Sequence, residues 1–260
     1  MWYAMRESVL ERFPEAPGIP KDIKAYMQHV DDVYVTDAYH SLSIEGYRVS
    51  ADLIKRVRNQ SWNPDDNKDD REQRNAMAAR GYYQAFLSVK ESVKKVLKDK
   101  NPGIVFDSDH GTWYRELFAP GVTAGILEVA DLAGYRNDQV YIRYSQHTPP
   151  NREAVRDLMP ALFDLIKEEP NPAVRVVLGH FMLVYIHPYM DGNGRMGRFL
   201  MNVMLAAGGY PWTVIPVEER DAYMAALEVA SATEDIGPFS FCLATLVRAN
   251  LEGKPGPKVP

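Results

Sequence analysis

Cysteine is nearly absent from these 260 residues. The lone thiol, Cys242, excludes an internal disulfide, so a core rather than covalent staples must hold the fold. It lies in the apolar run 239–247, where a small buried hydrophobe is expected rather than a reactive thiol. A reducing, cytoplasmic setting fits. Missing too is any uninterrupted apolar stretch near the ~20 residues a membrane span needs. The opening residues 1–8 contain no basic segment leading into an apolar run. Neither a signal peptide nor a membrane partner is therefore expected. Nor is there a basic surplus: 30 Lys and Arg against 35 Asp and Glu give a formal net charge of −5. That balance excludes a general field drawing the chain onto nucleic acid.

What is present suits a sizeable core: 46% of residues are hydrophobic and 25% charged. The length allows one large domain, or a compact core with an appended helical segment. Most of the chain reads as helix. Residues 22–44 carry Ile23, Met27, Val30, Val33 and Tyr34 at helical spacing, and Gly46 is a natural stop. Ser50 reads as the N-cap of a short helix through 57. After the polar stretch 59–70, a long helix is expected over 71–97 and a shorter one over 107–118. Further helices are expected over 152–167, 173–185, 195–207, 218–230 and 239–251. The exception is 133–148, where Gly134, Asn137 and Asp138 precede the alternating Val140, Tyr141, Ile142, Arg143 and Tyr144. This pattern predicts a β-hairpin closed by Pro149 and Pro150. The tail 252–260 reads as a linker or frayed end. The expected organisation is an N-terminal helical segment over 1–100, a mainly helical core over 101–251, and that tail.

The stretch 187–198 carries the chemistry. An apolar helical run ends at His187, because the residue before Pro188 is pushed out of helical geometry. Asp191, Gly192, Asn193 and Gly194 form a glycine-rich loop, and from Arg195 the helical pattern resumes. A glycine loop feeding a helix N-terminus binds anions, since free N–H groups and the dipole's positive end converge there. Arg195 and Arg198, three apart, share a helical face and can grip several phosphate oxygens. Asp191 offers one carboxylate, which suits magnesium shared with substrate phosphates. His187 is the one group in the loop able to accept a proton near neutral pH. Taken singly, each piece is more often structural, and His180 on the preceding helix is read as a packed core histidine. In this order, within twelve residues, they form a set for hydroxyl attack on phosphorus.

This stretch resembles the Fic signature, His-x-Phe-x-Asp-Gly-Asn-Gly-Arg-x-x-Arg, with Tyr189 in place of the phenylalanine. The similarity extends over roughly 107–247. It implies an all-α Fic fold with one small β-hairpin flap. The activity implied is transfer of AMP from ATP, with Mg2+, to a Ser, Thr or Tyr hydroxyl of a target protein, which includes the chain itself. By the same resemblance His187 is the base, Asp191 the metal ligand, and Gly192, Asn193, Gly194 and Arg195 the phosphate cradle. Arg198 receives the terminal phosphate. Tyr223 falls where relatives line the base pocket, although a tyrosine simply packed on a helix reads equally well. Gly134, Val140, Tyr141 and Ile142 belong to the flap, which holds a target segment by strand-type pairing. The resemblance leaves room for a homo-oligomer through helical faces.

Ser41, Glu45 and Gly46 fit the family's inhibitory pattern, Ser/Thr-x-x-x-Glu-Gly/Asn. A carboxylate in the last turn of a helix is disfavoured by the dipole, so a cationic partner is expected, and the resemblance points to Arg198. Three alternatives stay open: transfer of another nucleotide, removal of AMP from a modified protein with help from Glu45, and a helical module that merely senses nucleotide. The phosphate-transferring branch of the family carries lysine before the first arginine, where this chain has Gly194.

Overall fold

The fold is that of a computed structural model, which describes residues 1–59, 70–132 and 134–260 but not the side chains of 70–73, 130 and 131. Among the described residues it consists of ten α-helices: α1 (Trp2–Leu10), α2 (Ile23–Ile44), α3 (Ala51–Arg58), α4 (Asp70–Val96), α5 (Pro102–Thr123), α6 (Arg152–Glu168), α7 (Pro172–Ile186), α8 (Asn193–Gly208), α9 (Arg220–Thr233) and α10 (Gly237–Leu251). None is long and apolar enough to cross a membrane.

Local chemistry sets most of the boundaries. Asp22, Ser50, Asn101, Asn151 and Asn171 each cap a helix by accepting a first-turn N–H. Pro102 and Pro172 start α5 and α7, where a missing N–H costs nothing. Gly46, at φ +84, closes α2 while Tyr47 N–H bonds back to the Leu42 carbonyl. Helix α8 is buried on almost every face, so it forms the centre of the molecule and α7 packs directly on it. Helix α4 lies along α5 and also reaches α8, where Tyr82 meets Phe199 with ring centroids 4.8 Å apart. One continuous core runs from Trp2 to Val247.

Three expectations need correction. The helix expected over 107–118 runs from Pro102 to Thr123, because α5 tolerates Gly103, Gly111, Gly121 and Pro120 inside a packed helix. Helix α1 was not anticipated by periodicity; it docks through Trp2, Met5 and Val9. The third concerns the β-hairpin. Ala133 lies outside the described residues, and over 134–148 the described chain has no strand. Side chains take the main-chain groups a ladder would need. Gln139 donates to the carbonyls of Val140 and Pro149, Arg136 to those of Asp138 and Pro150, and Glu228 accepts from the Gln146 N–H. Pro149 and Pro150 have no N–H to offer. The result is an extended flap with a turn at 142–145, closed by Ser145 N–H to the Ile142 carbonyl at 3.1 Å.

The α4–α5 contact depends on a missing side chain. A Cβ on Gly81 would stand 2.0 Å from the Leu117 carbonyl oxygen, whereas one on Gly111 would meet only the flexible end of Arg115 at 3.3 Å. Alanine gains about 1 kcal/mol over glycine within a helix. Overpacking rigid backbone costs about 1–3 kcal/mol or more. Urea unfolding should therefore find Gly81→Ala destabilised and Gly111→Ala neutral to stabilised by up to ~1 kcal/mol.

Candidate active site

Helix α7 delivers His187 and α8 takes over five residues later. His187 itself adopts left-handed geometry at φ 52, ψ 58, with its N–H bonded to the Leu183 carbonyl at 3.0 Å. Arg136 secures that conformation: its Nε donates to the His187 carbonyl at 2.8 Å and its main-chain N–H to the Pro188 carbonyl at 2.9 Å. The Nδ1 of His187 lies 3.3 Å from the Val184 carbonyl. A proton on Nδ1 directed there leaves Nε2 as the proton acceptor. Burial holds the imidazole below its usual pKa, so this nitrogen is neutral at pH 7.

The loop is built around Asn193, whose side chain accepts from Tyr189 N–H at 3.0 Å and donates to the Tyr189 carbonyl at 2.8 Å. What Asn193 offers outward is therefore its main-chain N–H, together with those of Gly194 and Arg195 in the first turn of α8, where no intrahelical acceptor exists. Tyr189 stacks on Tyr114 with centroids 3.8 Å apart, so the aromatic swap within the signature keeps a packing role. Arg195 is buried between the rings of Tyr47 and Phe118, 5.1 and 5.0 Å from their centroids. One end of its guanidinium reaches Asp191 Oδ2 at 3.2 Å, while its buried Nε has no hydrogen-bond partner. A buried, unsatisfied cationic donor beside a helix N-terminus fits an anion. The Asp191 side chain is 62% exposed.

Arg198 is almost fully buried and held by the N-terminal helix. Its Nε donates to Ser41 Oγ at 2.8 Å, and one terminal nitrogen reaches the Ser41 carbonyl at 3.0 Å and Glu45 Oε1 at 2.6 Å. Glu45 lies so close over α8 that a Cβ on Gly194 would stand 2.3 Å from its Oε1. Only glycine at 194 lets a carboxylate settle on this turn. Burial alone would raise the Glu45 pKa, but the charges of Arg198 and Arg195 outweigh it and hold the group below the usual carboxylate range.

These residues converge. Glu45, Ile142, His187, Gly194, Arg198 and Tyr223 line one cavity of about 460 Å³. Asp191 borders an adjoining cleft of about 350 Å³ with Glu45, Gly46 and Tyr47. Gly134 instead borders a third cleft beside Tyr135 and Tyr189, and Val140 and Tyr141 are not walls of the main cavity. Tyr223 is both packed and positioned: its hydroxyl meets His180 Nε2 at 2.8 Å while its ring bounds the cavity. His180 is the core histidine expected, with burial pushing its pKa down to about 3. Three residues escaped sequence reasoning. Arg136 anchors the flap root, Arg220 Nε binds the Ile44 carbonyl at 2.9 Å, and Glu228 holds the flap's far limb. No spacing rule marks a lone arginine between turn residues, or a glutamate on the polar face of a helix.

Residues 112–205 match the model of the Fic/DOC family. Protein adenylyltransferase Fic of Nematostella vectensis is 28% identical over 244 residues, covering 90% of this chain and 52% of that protein. Protein adenylyltransferase fic-1 of Caenorhabditis elegans is 34% identical over 132 residues, covering 49% of this chain and 25% of that protein. The chain thus spans between a quarter and about half the length of these curated relatives. Among solved structures, residues 134–508 of Fic-1 from C. elegans superpose with a TM-score of 0.71 at 22% identity, covering 97% of this chain and 70% of that one. A Fic domain containing signaling protein from Bacteroides thetaiotaomicron gives 0.63 at 19% identity, covering 98% and 97%. The helical architecture is therefore that of Fic proteins, and residues 112–205, which match the Fic/DOC family model, hold the whole 187–198 loop.

Proposed function

We propose that the chain is a protein adenylyltransferase, moving AMP from ATP onto a protein hydroxyl, and that Glu45 restrains it. The carrying observation is the convergence of His187, the first turn of α8, Arg198 and Glu45 on one cavity. In this reading the nucleotide's base lies against Tyr223 and its phosphates on the N–H groups of Asn193, Gly194 and Arg195. His187 Nε2 takes the proton of the acceptor hydroxyl as its oxygen forms a bond to the α-phosphorus. The bond to the β-phosphate bridging oxygen breaks, and pyrophosphate leaves. Arg195, with its unpaired Nε, stabilises the departing charge.

Among the described residues no cluster of three or more His, Cys, Asp or Glu forms a ready-made metal cage. A single exposed carboxylate beside a phosphate nest nonetheless fits Mg2+, which keeps waters and substrate oxygens as its other ligands. Asp191 would hold it, and when bound it supplies charge neutralisation between phosphates. The flap offers Val140, Tyr141 and Ile142 as an extended edge whose main chain can pair with a target segment, with Tyr141 78% exposed.

Glu45 occupies Arg198 and lies over the turn that phosphates would use, so a triphosphate must displace it. Intact-mass measurement of self-modification with Mg·ATP should show Glu45→Gly gaining AMP at least roughly ten-fold faster than wild type, the worth of a charged hydrogen bond. Ser41→Ala, which removes one of Arg198's three acceptors, should give a smaller rise. Adding His187→Ala to Glu45→Gly should cut the rate by about 10²–10⁴-fold. Equal labelling by wild type and Glu45→Gly removes the brake from this proposal; the other nucleoside triphosphates, run in parallel, report the donor base.

The rate's dependence on pH follows from His187. Burial lowers its pKa from 6.5, so the base is neutral through pH 7–9 and the rate is flat there, falling only as acidity protonates it below 6.5. The Glu45 charge raises that pKa, so its removal moves the inflection lower still. An inflection above 6.5 in Glu45→Gly would contradict His187 as base.

A second reading rests on the same proximity. Since the Glu45 charge reaches His187, the pair is placed to activate water and remove AMP from a modified protein. Release of AMP from a pre-modified acceptor by wild type, lost in Glu45→Gln, is the expected signature of that reaction.

A further inference from the structure

The two limbs of the flap are held in different ways. The outgoing limb, 140–142, projects outward, with Tyr141 largely exposed and Arg143 stacked 4.7 Å from the Tyr144 ring centroid. Tyr144, at φ 65, turns the chain in left-handed geometry that a non-glycine residue rarely adopts, and it is 89% exposed. A bare tip of this kind does not hold itself.

The returning limb is clamped. Both oxygens of Glu228 are engaged, Oε2 by Ser145 Oγ at 2.5 Å and Oε1 by Gln146 N–H at 2.6 Å. Ser145 Oγ in turn accepts from His147 N–H at 3.0 Å, and His147 Nε2 meets the Tyr185 carbonyl at 2.8 Å while its ring stacks on Tyr185. Glu228 stands on α9, five residues after Tyr223, and both line the 460 Å³ cavity, as do flap residues Ile142 to Ser145. Helix α9 and the flap are thus opposite walls of one cavity, tied at its rim by a single carboxylate.

We infer that Glu228 is the positioning residue of the flap: it fixes the returning limb to the base-lining helix, so that the wall over the base and the edge offered to a target are set by the same contact. This rests on the nucleotidyl-transfer reading for the identity of the cavity's ligand, but the latch itself does not. Charge-assisted bonds to two consecutive flap residues define both its height over α9 and its register along it, which one bond could not. Release of the latch leaves the flap tied at its root by Arg136 and Gln139 and on its returning limb by His147. The cavity then loses the rigidity of one wall while the phosphate cradle on α8, which Glu228 does not touch, is unaffected.

Hydrogen exchange and calorimetry on the full chain test this. Glu228→Gln keeps the shape and one acceptor oxygen but removes the charge. Its amide nitrogen can only donate, so the bond from Ser145 Oγ to a charged acceptor is lost even where the hydroxyl turns to accept from the amide. Exchange over 140–148 should accelerate roughly ten-fold, as expected for a lost bond to a charged acceptor, with α7 and α8 unchanged. Ser145→Ala, losing only the hydroxyl contact, should show a smaller acceleration. In a Glu45→Gly background, Glu228→Gln should weaken Mg·ATP roughly ten-fold and leave inorganic pyrophosphate, which reaches only the phosphate end, unchanged. Unaltered flap exchange in Glu228→Gln overturns the inference, as does an equal loss of ATP and pyrophosphate. If neither ligand binds the Glu45→Gly parent, nucleotidyl transfer fails, and the exchange comparison alone upholds or overturns the latch.

Discussion

Arg198 is a cation inside the protein, and a buried cation without a counter-charge costs several kcal/mol. Glu45 supplies that charge at 2.6 Å, with Ser41 adding two oxygens. The surroundings are arranged for this one group. Asp37, fully buried nearby, receives the Tyr82 hydroxyl at 2.6 Å, and burial pushes its pKa up to about 6. Among the described residues Asp37 makes no hydrogen bond or ion pair with Arg198, so Glu45, at 2.6 Å, is the anion that pairs with it. On the proposed function, such a site has two satisfactory states, one with the protein's carboxylate and one with a phosphate. They exclude each other because both anions need the same guanidinium and the same bare turn at Gly194. On that proposal, restraint and substrate binding are two uses of one electrostatic requirement.

The conformation of His187 depends on a second buried arginine. Among the described residues Arg136 engages no carboxylate; its guanidinium is shared among the carbonyls of His187, Asp138 and Pro150. Three carbonyl dipoles satisfy its donors without neutralising it, and burial lowers its pKa accordingly. The arrangement locks the left-handed turn at His187 to the root of the flap. His187 and the segment facing it thus share one fixed origin, which is what the proposed short-range proton transfer requires.

Much of this was legible in the chain. Helices α2, α3 and α6 to α8 fall within about two residues of their expected bounds, because capping residues and apolar spacing agree there. The loop from His187 to Arg198 was legible because its residues are chemically unusual together and adjacent in sequence. The pairing of Glu45 with Arg198 could be anticipated only through a resemblance, since 153 residues separate them and no local rule spans that distance. The β-hairpin failed for a related reason. Alternation in 140–144 is a local pattern, whereas the bonds that replaced a ladder come from Arg136, Gln139 and, some 80 residues on, Glu228. Helix α5 was read short because glycines and a proline look like breaks until Gly103 is seen to lie against α6, where a Cβ would stand 2.4 Å from the Lys167 main-chain nitrogen.

Helix α9 ties these parts together. At its first residue Arg220 caps the end of α2 by binding the Ile44 carbonyl, one residue before Glu45, and just upstream Val217 N–H donates to His40 of α2 at 3.1 Å. One turn on, Tyr223 bounds the cavity, and a little over one turn further Glu228 holds the flap. Three contacts spaced along about two turns of one rigid helix cannot move independently. On the proposed function, a base pressed against Tyr223 acts on the same beam that supports the end of α2 on one side and the flap on the other. The end of α2 that carries Glu45 and the returning limb of the flap are consequently not independent segments; both are tied to α9, which packs on α10 and bonds to α7 through Tyr223 and His180.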